Sequence, residues 1–115
     1  MSKNWKGGCE MTLPELKDKL KSLNLPIAYR CFAVGQVPEL PYIVYYVDED
    51  IGFYADDTVY YEGYAVTIEV YTDQKDLQLE EKVKELLNSN ELTYESYESF
   101  LDSENMYLKA YEIEI

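Results

Sequence analysis

From Tyr42 to Thr72 the chain reads "YIVYYVDEDIGFYADDTVYYEGYAVTIEVYT", a stretch dense in tyrosine and β-branched residues. Such side chains lose χ1 freedom in a helix and fit a pleated surface. "YIVYYV" (42–47) predicts one strand and "TVYYEGYAVTIEVYT" (58–72) a longer one, with "DEDIGFYADD" as the turn region between them. In the longer strand Tyr64, Val66, Ile68 and Val70 share one face, while Thr67 and Glu69 share the other. That alternation is the mark of an antiparallel strand with one buried and one wet face. The buried face then needs a cover from elsewhere in the chain.

Two segments of helical period supply it. In "TLPELKDKLKSL", Leu13, Leu16, Leu20 and Leu23 form one stripe. Thr12 is placed to cap this helix, with Pro14 in the first turn and Glu15 completing a capping box. In "DQKDLQLEEKVKELLNSN", Leu79, Val83, Leu86 and Leu87 make the stripe, Asp73 or Asp76 is the cap, and Glu80–Lys84 is a favourable i,i+4 pair. "PIAYRCFAV" reads as a strand that buries Cys31. "LTYESYESF" and "MYLKAYEIEI" read as a closing hairpin, with Tyr111, Ile113 and Ile115 alternating against Glu112 and Glu114. The expected order is α-β-β-β-α-β-β. This predicts an α+β fold, a mainly antiparallel sheet with two helices on one face. Residues 1–11, polar and containing Gly7-Gly8, read as a flexible leader to a single domain over 12–115.

Charge narrows the function. Residues 1–24 carry five lysines against three acids, a balance of +2, while residues 25–115 carry five bases against twenty acids, −15. Such a body repels nucleic-acid phosphates, so sequence-specific binding to DNA or RNA is disfavoured. Partners with basic patches fit, as does DNA that slides past without sticking. There is no histidine, which removes the commonest general base and the commonest metal ligand. Two cysteines without C-x-x-C spacing make no disulfide framework. No run is long and apolar enough for a membrane span or a secretory signal, so a soluble cytosolic protein is expected.

The chemistry-bearing candidates are carboxylates and tyrosines. Asp48, Glu49, Asp50, Asp56 and Asp57 cluster around the expected turn. An EF-hand loop needs its sixth residue to be glycine and its twelfth a carboxylate. Counted from Asp48, Gly52 falls one place early and the last position is Val59. The cluster therefore reads as a solvated acidic turn, with no metal and no cofactor expected. Nothing marks one carboxylate pair among the 23 acids as catalytic, and no glycine-rich phosphate loop is present. Thirteen tyrosines would stack single-stranded bases only beside a basic groove, which the charge does not provide. They suit adhesive contacts, where tyrosine buries large area and keeps a polar tip. Lys17, Lys19 and Lys21 rim the first helix and face outward on either side of its apolar stripe.

Several phrases resemble a known family. "LPYIVYY" with its acidic turn, "ADDTVY", "IEVYTDQKD" leading into the helix, and the terminal "YLKAYEIEI" are similar to small neck proteins of long-tailed phages and prophages of Gram-positive bacteria. The resemblance runs from Thr12 to Ile115. It implies a tail terminator or tail-completion protein, a structural part of the virion made in the bacterial host cytoplasm. Its subunits would form a homo-hexameric ring on the major tail tube protein and join it to the head connector or stopper protein. DNA would pass through without specific binding, and no membrane or cofactor is involved. The family has no catalytic residues to carry over, so no enzyme is expected. On this reading the five acids lie on the hairpin that meets the channel or tube. The Lys17, Lys19 and Lys21 rim of one subunit meets the acidic body of the next. The acidic body also fits a second class, a small inhibitor that mimics DNA in the basic groove of a host DNA-binding protein.

Overall fold

The computed structural model describes residues 11–55 and 59–115, with the backbone alone for residues 53–55 and 59–61. The elements are α1 (Leu13–Lys21), β1 (Ile27–Tyr29), β2 (Tyr42–Ala55), β3 (Val59–Thr72), α2 (Leu77–Ser89), β4 (Tyr94–Leu101) and β5 (Met106–Glu114). They make an α+β fold in the expected order. The five strands form one sheet in the order β1-β2-β3-β5-β4. Every pairing is antiparallel except β1 with β2.

Both helices begin as their sequences dictate. The Thr12 hydroxyl accepts from the Glu15 N–H at 3.2 Å, and the Glu15 carboxylate accepts from the Thr12 N–H at 2.9 Å. These two bonds satisfy donors that the first turn of α1 otherwise leaves open. Asp76, rather than Asp73, caps α2, accepting from the Leu79 N–H at 3.0 Å. Leu16 and Leu20 of α1 and Leu79, Val83 and Leu87 of α2 are buried. They pack on Ile43, Tyr45, Val66, Ile68, Val70, Tyr111, Ile113 and Ile115. The register puts all eight of those on one side of the sheet, so both helices cover the same face. Leu13, Leu23 and Leu86 sit half-buried at the margin, and Met11, assigned to the leader from sequence, also packs against this core. Glu80 pairs with Lys75 at 2.7 Å and Lys84 with Glu81 at 3.5 Å, in place of the expected Glu80–Lys84 contact.

The strand predicted over "PIAYRCFAV" is cut to Ile27–Tyr29. Arg30 turns to a φ of 70°, and the Cys31 N–H bonds back to the Tyr29 carbonyl at 2.8 Å. A chain that reverses there cannot continue a ladder, and Cys31 is left exposed rather than buried. The predicted turn over "DEDIGFYADD" is also corrected. Its first part continues β2, with Glu49, Asp50, Ile51 and Gly52 paired opposite Ala65, Tyr64, Gly63 and Glu62. Asp48 is the extra residue of a bulge between Val47 and Glu49.

β5 joins β3 only as far as Tyr64, which exchanges two 2.9 Å hydrogen bonds with Ile115. Beyond that point β2 and β3 run on as a two-stranded ribbon. The described residues span 50 × 29 × 23 Å, an elongated shape. Tyr64 has the parity of the buried residues but lies at the foot of this ribbon, where it is 39% exposed.

Candidate interaction surface

The sheet face away from the helices is not the wet face that alternation predicts. It carries Tyr42, Val44 and Tyr46 from β2, Thr67, Glu69 and Tyr71 from β3, Ala110 and Glu112 from β5, and Glu95 and Tyr97 from β4. Tyr42, Val44, Thr67 and Ala110 are buried there. The tyrosines achieve this by lying over their neighbours. Tyr42 packs on Tyr71 and Phe32, each at 5.2 Å between ring centroids. Arg30 sits 5.2 Å above the Tyr46 ring and donates to the Val47 carbonyl at 3.3 Å.

Glu69 lies amid this aromatic layer. The Tyr46 hydroxyl donates to one of its oxygens at 2.9 Å and the Tyr71 hydroxyl to the other at 2.6 Å. Both phenols are held above their ordinary range. Burial is the first cause, followed by the hydrogen bond to Glu69 and that carboxylate's charge. Tyr46 is pushed up to about 12. Beside them the Thr67 hydroxyl donates to Asp48. Tyr97, 45% exposed, is raised by burial and then by Glu112, Glu69 and Asp48.

Toward the ribbon this face opens into a groove of about 600 Å³. Asp48, Glu91, Glu95, Glu112 and Glu114 all line it. Glu95 and Glu112 stand directly opposite each other across β4 and β5. No group of three or more His, Cys, Asp or Glu among the described residues is arranged to hold a metal ion. The groove is therefore a diffuse negative surface.

The candidates from sequence are divided between regions. Asp48, Glu49 and Asp50 are exposed at the base of the ribbon. Asp48 and Glu49 lie toward the open face, while Asp50, opposite Tyr64, lies toward the helix side. Asp56 and Asp57 fall outside the described residues. Lys17, Lys19 and Lys21 are all exposed on α1, and none makes an ion pair among the described residues. The short link over 22–26 ties the end of α1 to β1, whereas the groove is lined from β2, β3, β5, β4 and the link before β4. One subunit thus carries both an exposed row of lysines and an acidic groove.

Glu91, Glu95, Glu112 and Glu114 were not read as one surface from sequence, nor was Glu69 as a partner of two tyrosines. The alternation of β5 was visible, but what stands beside each residue depends on strand register. No helix among the described residues is long and apolar enough to cross a membrane. No family model matches the chain, and no curated protein matches it.

Proposed function

We propose that this protein is a structural virion subunit, a tail terminator or tail-completion protein of a long-tailed phage. It forms a homo-hexameric ring at the head-proximal end of the tail, halts growth of the tube and joins it to the head connector. The phrases resembling that family suggest the role, and the shape is suited to it. The observation that carries the reading is the pair of unlike charged patches on one subunit. Lys17, Lys19 and Lys21 are exposed on α1 with no ion pair among the described residues, and Asp48, Glu91, Glu95, Glu112 and Glu114 line an acidic groove. A heterologous contact joins two such different patches, and a ring forms when the rotation closes. The β2–β3 ribbon, with Asp48, Glu49 and Asp50 at its base, extends toward the tube or channel. Carboxylates there keep passing DNA mobile by repulsion.

Native mass spectrometry with and without the tube protein tests this. A closed ring, alone or on the tube, is the expected result. A chain that stays monomeric with the tube protein and displaces DNA from a basic host protein would instead support the DNA-mimic reading. Replacing Asp48, Glu49, Asp50, Asp56 and Asp57 by Asn or Gln is expected to disturb tail length or DNA release. Normal tails and normal release would remove the assignment of the acids.

A further inference from the structure

Among the described residues nothing pairs with the outer edge of β4. Tyr94–Leu101 forms the last strand of the sheet, and its partner there is β5. Sheet edges are usually blunted by shortness, proline, lysine or a bulge. β1, at the other edge, is short and ends where Arg30 reverses the chain. β4 is long, and its sequence "YESYESFL" has no proline and no lysine. Its register with β5 runs from Tyr94↔Ile113 to Leu101↔Met106 without a shift.

The register also identifies the open groups. Tyr64 and Ile115 exchange both their hydrogen bonds, so residues of β5 with the parity of Ile115 bond to β3. Glu112, Ala110, Leu108 and Met106 then bond to β4, through Glu95, Tyr97, Ser99 and Leu101. The N–H and C=O groups of Ser96, Glu98 and Phe100 therefore point outward, ready to pair with another strand.

The side chains beside this edge select what can add to it. On the helix side, Lys75 already bridges Glu98 and Glu80, so that charge is answered. On the open side, Glu95 and Glu112 face each other, and among the described residues no base pairs with either. Tyr97 and Phe100, at 45% and 44% exposure, offer apolar contact on the two sides. Edge-to-edge pairing with a second copy would bring two sets of Glu95 and Glu98 together on bodies of charge −13, which repels. We propose that the outer edge of β4 is a docking rail for an extended segment of a partner protein, one that carries lysine or arginine at alternate positions. The segment adds as a sixth strand. Its basic side chains lie on the open face against Glu95 and Glu112, and its other side chains pass Phe100. A lone subunit presents this rail; in a ring, the neighbour's lysine rim would compete with the segment for Glu95 and Glu112.

The probe is a capped ten-residue peptide alternating lysine with valine. A glutamate–valine peptide serves as one control, and the lysine peptide N-methylated on alternate residues, in both phases, as the other. Amide exchange on the native chain is expected to slow about tenfold at Ser96, Glu98 and Phe100 with the lysine peptide and with neither control. Ser96→Pro removes an outward donor without touching the bonds to β5, and is expected to weaken binding about tenfold. Glu95→Gln with Glu112→Gln is expected to weaken it similarly at low salt. The N-methylated peptide asks the same question of the unmodified protein if the proline variant does not fold. The proposal fails if the N-methylated and parent peptides bind equally, or if the glutamate peptide binds as well as the lysine one. It fails also if these amides gain no protection, or gain it from raised protein concentration alone.

Discussion

Glu95 and Glu112 occupy one cross-strand position between β4 and β5, two acidic residues directly opposed, with Asp48 and Glu114 lining the same groove. Directly opposed like charges destabilise a sheet, and an opposite-charge pair there contributes roughly 0.2–1 kcal/mol. Glu112→Lys is therefore expected to raise stability by about 0.5–1 kcal/mol, read as a Tm a few degrees higher. An unchanged or lower Tm would show that the two carboxylates do not oppose each other.

Salt should act on the same surface. The chain carries −13 overall, and its groove is held together against its own repulsion. Raising sodium chloride is expected to raise the Tm of the unmodified protein, and to raise it less for Glu112→Lys. Equal salt responses in the two proteins would place the dominant repulsion elsewhere.

Glu69 depends on two donors. Tyr46→Phe and Tyr71→Phe each remove one hydrogen bond to a part-buried carboxylate, at an expected cost of about 1–2 kcal/mol in urea unfolding. The double variant should lose more than the two single losses combined, because the second change leaves the carboxylate without either phenol. Strict additivity would mean that each phenol acts independently of the other.

Tyr111 presents the reverse case. It is fully buried, packs edge-on to Tyr94 at 5.8 Å, and its hydroxyl has no hydrogen-bond partner among the described residues. Tyr111→Phe keeps the ring and removes the polar atom. The expected result is unchanged stability or a gain of up to about 1 kcal/mol. A clear loss would show that the hydroxyl is satisfied.

Alkaline pH should release the tyrosine layer. An unfolded tyrosine ionises near pH ~10. The Tyr46 phenol is pushed up to about 12, and Tyr71 and Tyr111 are raised as well, with burial the first cause in each. Their contribution is complete below the unfolded value and is lost as pH rises from ~10 through about 12, because the unfolded chain gives up protons that the folded chain keeps. Phenolate absorbance is expected to rise in two phases, the second accompanying loss of structure. Tyr46→Phe should shrink the second phase. A single phase near pH ~10 would contradict the buried arrangement.

Much of the architecture was legible from local pattern. The capping box at Thr12 and Glu15, the stripes of α1 and α2, and the alternation of Tyr111, Ile113 and Ile115 all depend on neighbours a few residues away. The errors came where distant residues decide. "PIAYRCFAV" has strand-like composition throughout, yet the chain turns at Arg30, whose N–H bonds the Tyr45 carbonyl and whose guanidinium lies over Tyr46. The acidic run at Asp48–Asp50 looked like a turn because carboxylates are rare in strands. A two-stranded ribbon clear of the core, with water on both sides, tolerates them.

By itself the sequence determined which segments are helical, which face of β3 and of β5 seeks the core, and that the body is acidic, because these follow from side-chain period and composition. Only the tertiary structure decided that Glu69 sits between Tyr46 and Tyr71, that Glu95 opposes Glu112, and that β4 is the last strand of the sheet. Those relationships arise from the register and order of strands far apart in the chain, and a shift of one residue would turn each side chain to the other face.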